Sequence, residues 1–124
     1  YIEAKRSIAS AYDEILEGLP GIKSMTQAPW AESVYWLFTV LVDQAEYGMG
    51  SRELLGKLKD TGIQSRPLWQ PMHLSPAYAN LKPADCPVAN RLYQDGLSLP
   101  CSVGLGESQR LVTDTLNLLG ANKK

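Results

Sequence analysis

Apolar residues recur at three-to-four spacing near the start of the chain, at Ile8, Ala11, Tyr12, Ile15, Leu16 and Leu19. That spacing predicts a helix over residues 2–18 with one buried face, ended by Gly18 and Pro20-Gly21. Ile22 to Thr26 reads as a short strand, and Gln27 to Glu32, with Pro29, as a loop. The strongest strand signal is Ser33 to Val42, where β-branched and aromatic residues make the run apolar on both faces. A strand of that kind is expected to be central and covered on both sides. Asp43 to Gly50 reads as a turn. Ser51 then looks like the N-cap of a helix through Leu54, Leu55 and Leu58 to about Asp60, with Gly62 at the left-handed stop.

The second half alternates less regularly. Ile63 to Trp69 is extended, but Pro67 marks it as an edge or irregular strand. Gln70 to Pro83 is loop-like, with room for a helical turn around Ala77 to Leu81. Asp85 reads as the N-cap of a helix through Val88, Ala89, Leu92 and Tyr93, stopped by Gly96. Leu97 to Pro100 forms a short apolar strand. Gly104 and Gly106 open a last helix that turns Leu111, Val112, Leu116 and Leu119 inward and ends at Gly120. The order predicts an α/β (α+β) fold: a small three- to four-stranded, mostly antiparallel sheet packed against helices, in one domain over 1–124.

Composition narrows the function classes. With 124 residues, 44% hydrophobic, the chain can build one core without staples. Its net charge of −1 and pI near 5.8 argue against a nucleic-acid partner. The run Val34 to Val42 is far shorter than the roughly 20 residues of a membrane helix. No signal peptide is read in the charged, amphipathic first residues. Cys86 and Cys101 do not make a disulfide framework or a zinc site, so both are expected as reduced thiols in a cytoplasmic protein.

Candidate chemistry concentrates in Arg66-Pro67-Leu68-Trp69-Gln70-Pro71-Met72-His73. A guanidinium clamps phosphate or carboxylate, and an indole offers a flat stacking face. Together they suit a ligand with a ring and an anionic group. In the alternative reading, Trp69 and Met72 fill the core, Arg66 pairs with a surface carboxylate, and His73 is a structural hydrogen-bonder. Gly48-Met49-Gly50 and Gly104-Leu105-Gly106 have no phosphate-binding context, and no nucleophile elbow occurs.

Several segments, in order, resemble the C-terminal domain of the DegT/DnrJ/StrS-type nucleotide-sugar aminotransferases. These are Lys5-Arg6 leading to Tyr12 and Leu16, the Tyr35-Trp36 strand, Ser51 to Ile63, and Arg66 to His73 with Pro76 and Tyr78. Cys86-Pro87-Val88-Ala89 and Leu97-Ser98-Leu99-Pro100 complete the set. That family comprises pyridoxal-phosphate enzymes of the aspartate aminotransferase fold, fold type I. The resemblance implies the small domain of that fold, with the large cofactor-binding domain absent from these residues. It implies that Arg66, Trp69, Met72, His73 and Tyr78 bind the nucleotide sugar, that no residue here is catalytic, and that no metal or cofactor is held by this chain alone. Trp36 and Tyr35 are expected in the core. Lys5, Lys23, Lys57, Lys59, Lys82, Lys123 and Lys124 read as surface or terminal residues, so amino transfer by these residues alone is not expected.

Two further readings stand beside it. A non-catalytic module derived from that domain would bind a ligand or self-associate as a homodimer through the surface that once met the large domain, along the first helix and Pro67 to Pro83. An unrelated small-molecule-binding α/β domain would require the Trp-x-Pro-Met-His match to be accidental.

Overall fold

The computed structural model describes residues 1–80 and 85–121. Helix α1 (Ile2–Leu16) leads into strand β1 (Ile22–Ser24), strand β2 (Phe38–Val42) and a one-turn helix α2 (Gln44–Tyr47). Helix α3 (Ser51–Asp60) and strand β3 (Arg66–Pro67) follow, then two 3-10 turns, Met72–Leu74 and Pro76–Tyr78. Helix α4 (Pro87–Asp95) runs directly into strand β4 (Gly96–Leu99), and helix α5 (Ser108–Ala121) closes the described chain. The expected turn around Ala77 to Leu81 is seen as Pro76–Tyr78, while Leu81, Lys82, Pro83, Lys123 and Lys124 lie outside the described residues.

The sheet is antiparallel throughout, in the order β1-β2-β4-β3. Its register explains which residues reach the core. Phe38 opposes Leu99 and Val40 opposes Leu97, so these four share one face. With Val42 and Ile22 they pack against Tyr12, Leu16, Leu54, Leu58, Val112 and Leu116 from three helices. Thr39 opposes Ser98, and Ser98 opposes Arg66, so these polar residues share the other face.

Here the structure corrects the expected central strand. β2 is central, but it begins only at Phe38, and its side chains alternate between buried and half-buried. Residues 33–37 are irregular, because Tyr35 takes a left-handed backbone, φ 44°, which breaks the strand one turn early.

Other boundaries move for local reasons. Asp43 to Gly50 contains α2, because the Asp43 carboxylate accepts from the amides of Ala45 (2.9 Å) and Glu46 (3.1 Å) and caps it. Ser51 is the first helical residue rather than the cap. Gly50 occupies the cap, and the Ser51 hydroxyl donates instead to the carbonyl of Gln94 at 2.5 Å. Cys86, not Asp85, precedes α4, with Pro87 as the first helical residue. α5 starts at Ser108 and continues through Gly120. Leu111 and Ile15 point outward, while Ala9 takes an inward place on α1. Gly62 holds the left-handed stop after α3 as expected, φ 82°.

Two buried tyrosines join distant parts. The Tyr12 hydroxyl donates to the carbonyl of Pro100 at 2.8 Å, and the Tyr47 hydroxyl to that of Leu116 at 2.7 Å. Burial pushes the Tyr47 hydroxyl up to about 12 and the Tyr12 hydroxyl higher still, since a phenolate has no water to stabilise it there.

Each of these features generates a test. Gly21 has φ 77° and faces the backbone of Glu46 and Tyr47, so a methyl group there meets both strain and overlap. Gly21→Ala should therefore cost roughly 2–4 kcal/mol, read as a lower urea midpoint with the slope unchanged. Because Tyr47 is raised from 10.0 to about 12 in the fold, the unfolded chain releases its proton first as pH rises. The stability it contributes is complete below pH 10.0 and falls between there and about pH 12. Denaturant titrations across that window should show a decline that Tyr47→Phe reduces.

Candidate functional site

The irregular segment before β2 shapes the site. Ser33 Oγ accepts from the Tyr35 amide at 3.1 Å, and Arg6 Nε donates to the Ser33 carbonyl at 3.1 Å. Arg6 also pairs with Glu32 at 2.8 Å, and Gln27 Oε1 accepts from the Ser33 amide. On the other side, Lys5 Nζ donates to the Trp36 carbonyl at 3.0 Å. With its backbone braced from two sides, Trp36 turns its ring out of the core and is 64% exposed. The expectation that Trp36 packs in the core is thus overturned by the left-handed turn at Tyr35. Tyr35 itself is half-buried beside Phe38, ring centroids 6.4 Å apart.

Strand β3 brings up the other wall. Trp69, 76% exposed, meets Trp36 edge-on with centroids 5.8 Å apart. Between them lies a cleft of about 200 Å³ lined by Trp36, Leu37, Arg66, Pro67, Leu68, Trp69 and Ser98. It sits on the polar face of the sheet, away from the main core. Arg66 also borders a wider hollow of about 560 Å³, shared with Leu55, Lys59, Ile63, Gln64 and Ser65. In that hollow the Ser65 hydroxyl is buried and has no hydrogen-bond partner among the described residues.

Of the five residues singled out in the sequence, the fold brings Arg66 and Trp69 together in one cleft. Met72, His73 and Tyr78 lie outside its lining. Met72 and Tyr78 are exposed on successive 3-10 turns, 65% and 41% respectively. His73 Nε2 is hydrogen-bonded to Asn90 Oδ1 at 2.7 Å, which ties the loop to α4. Neither Trp69 nor Met72 fills the core. Trp36, Leu37 and Ser98 complete the cleft, and none was marked for function by the sequence. Trp36 carries no such signal, since it lies inside the apolar run from Val34 to Val42.

The lining of this cleft suits contact with a ligand. The tryptophan cleft offers aromatic faces, a guanidinium and a hydroxyl, and its lining contains no carboxylate, imidazole, thiol or amine to carry a proton. Among the described residues no cluster of three or more His, Cys, Asp or Glu could hold a metal, and no helix is long and apolar enough to cross a membrane.

A sequence profile of the DegT/DnrJ/EryC1/StrS aminotransferase family matches residues 1–117. The chain belongs to that family. GDP-perosamine synthase of Vibrio cholerae is 33% identical over 109 residues, 87% of this chain and 29% of that protein. Among solved structures, S. venezuelae DesV, determined in complex with a ketimine intermediate, matches with a TM-score of 0.86 at 31% identity. It covers 100% of this chain and 33% of its own. DesI, determined in the presence of its TDP-sugar product, matches with a TM-score of 0.88 at 28% identity, covering 98% of this chain and 31% of its own. The chain thus spans about a third of the length of the relatives it matches.

Family membership implies pyridoxal phosphate, a cofactor that needs a Schiff-base lysine, a partner for its ring nitrogen and a phosphate cradle. Neither the tryptophan cleft nor the wider hollow brings a lysine together with an aromatic ring and a carboxylate. Lys5 is turned onto the carbonyls of Trp36 and Cys101, and Lys57 lies 3.8 Å from Glu53 within α3. Lys59 borders the wider hollow, whose lining has no carboxylate and no aromatic ring. The tryptophan cleft has rings but no lysine. Mixing these 124 residues with pyridoxal phosphate should therefore give no aldimine absorbance band; a borohydride-reducible adduct on one specific lysine would contradict this.

Proposed function

We propose that this chain is the C-terminal small domain of a sugar aminotransferase that aminates a nucleotide-linked keto sugar. In this reading a large domain beyond these residues holds the cofactor and the lysine, and the residues described here position substrate without transferring protons. The observation that carries it is the exposed Trp36–Trp69 pair in a cleft that Arg66 also lines, on the open face of the sheet. Two large indoles left in water are costly unless a ring or another surface covers them. An arginine lining the same cleft is suited to an anion, as a nucleotide diphosphate would supply.

In the proposed division of labour, Trp69 and Trp36 contact the ring portion of the substrate and Arg66 its phosphates. His73, fixed by Asn90, holds the loop that carries Met72 and Tyr78 toward the same ligand. The names of the relatives fit this substrate class: one is a GDP-perosamine synthase, another was solved with a TDP-sugar product. The same reading places the protein in the cytoplasm, where nucleotide sugars are made.

A second reading rests on a different observation. Trp30, 89% exposed, adds to Val34, Trp36, Trp69 and Met72 as large apolar side chains in water. Such residues suit self-association, and a non-catalytic homodimer would bury them. Light scattering together with a nucleotide-sugar titration tests this reading, since a clean monomer with no ligand affinity removes it.

The experiment begins with the product of the native gene, whose intact mass and transaminase activity are measured together. A mass of about three times 13.6 kDa with activity supports the first reading, and a mass near 13.6 kDa with none overturns it. In the active protein, Arg66→Ala should raise KM for the nucleotide sugar about 10- to 100-fold, the effect of one lost charge-assisted contact. Trp69→Ala should raise it about 5- to 20-fold. Unchanged KM in both variants would remove the cleft from substrate binding.

A further inference from the structure

Lys5 and Cys101 are 96 positions apart and meet where α1 crosses the segment leaving β4. Lys5 Nζ lies 3.3 Å from Cys101 Sγ, 2.5 Å from the Cys101 carbonyl and 3.0 Å from the Trp36 carbonyl. The sulfur lies 3.3 Å from that same Trp36 carbonyl. Two carbonyl oxygens therefore hold the amine against the sulfur. A solvated lysine samples many rotamers, whereas this one is half-buried and held near its neighbour, which raises the effective concentration of amine at sulfur. Cys101 is a free, buried thiol, 6% exposed as a residue, so the oxidant that reaches it must be small. Neither group lines the tryptophan cleft, and although Lys5 braces the Trp36 backbone, the proposed function uses neither the amine nor the thiol as a reactive group.

We propose that Lys5 and Cys101 form an oxidation-triggered covalent cross-link, a sulfenamide made after a peroxide oxidises the sulfur. In the first step the sulfur attacks hydrogen peroxide. The S–O bond forms, the O–O bond breaks and one water leaves; sulfur loses two electrons and the peroxide gains them. In the second step the lysine amine, having released its extra proton to solvent, attacks the sulfenic sulfur. The N–S bond forms, the S–O bond breaks, and the departing hydroxide takes a proton from nitrogen as a second water. The sum is amine plus thiol plus peroxide giving sulfenamide plus two waters. Sulfenic acids condense in this way with backbone nitrogen, and a lysine amine is the stronger nucleophile.

The cross-link staples α1 to the end of β4. It closes a loop that spans most of the chain, and closing a long loop removes entropy from the unfolded state. Oxidation thereby stabilises the domain, and a thiol that attacks the sulfenamide sulfur reverses it.

The test uses the protein carrying Cys86→Ser, so that no disulfide within the chain can form. It is treated with stoichiometric hydrogen peroxide and digested, and its peptides are weighed. The expected product joins the Lys5 and Cys101 peptides with the loss of two hydrogens, about 2 Da. Dithiothreitol should restore both peptides, and the cross-linked protein should melt more than about 5 °C higher than the reduced one. Lys5→Arg, which keeps the charge, should stop at oxygen adducts of Cys101. Oxygen added to Cys101 with the Lys5 peptide unlinked overturns the proposal. So does a Cys101 left as thiol at a peroxide level that oxidises the exposed Met72. The peptide masses of the lysine-bearing protein decide the matter even where Lys5→Arg fails to fold.

Discussion

The fold depends on Tyr12. Its ring stacks on Phe38 with centroids 4.8 Å apart, and its hydroxyl holds the carbonyl of Pro100, 88 positions away. One side chain thus ties α1 to the start of β2 and to the end of β4. A buried aromatic supplies a large apolar contact, and its single polar atom must find a partner or cost stability. Here that partner is the backbone at the point where β4 ends. Tyr47 repeats the device between α2 and α5. Both phenols resist ionisation for the same reason, since a phenolate in either place would be without water.

With one face of the sheet committed to these contacts, the other face carries the tryptophan cleft. The antiparallel register puts Thr39, Ser98 and Arg66 there together, and Thr39 Oγ1 and Ser98 Oγ are 3.0 Å apart. Edge strand β3 is only two residues long, and Pro67 withholds a backbone donor. That short edge lets the chain swing outward at once and present Trp69. The left-handed turn at Tyr35 does the same for Trp36 from the other side. The cleft is therefore built from two places where the sheet stops early, consistent with function gathering on loops positioned by a rigid scaffold.

In the proposed reading, the cofactor requirement divides the chemistry between these residues and a large domain beyond them. The fold is that of a family whose reaction needs a lysine nucleophile, while Lys5 is held by carbonyls, Lys57 lies near a glutamate and Lys59 borders a hollow without aromatic rings. The described surface is rich in exposed indoles, and Arg66 lines the cleft between two of them. Such a surface gains by being covered, whether by substrate, by another domain or by a second copy.

Much of this was legible in the residue order. The helical spacing of α1 and α5, the left-handed Gly62 after α3, the edge character conferred by Pro67 and the mixed helix–sheet layering all follow from local chemistry that acts over a few residues. The Arg66 to His73 segment marked the neighbourhood of the cleft for the same reason, since an arginine and an indole on a proline-stiffened loop are unusual in any setting. The tertiary structure alone decided what depends on distant partners. Ser51 gave up the cap because the Gln94 carbonyl was within reach of its hydroxyl, and His73 met Asn90 because α4 packs beside its loop. Trp36, in a run that reads as core, was turned into water by a backbone braced through Arg6 and Lys5 on another element. Hydrophobic patterning specifies how much apolar surface seeks burial, but which side chains obtain it is settled by register and by the partners that packing brings into contact.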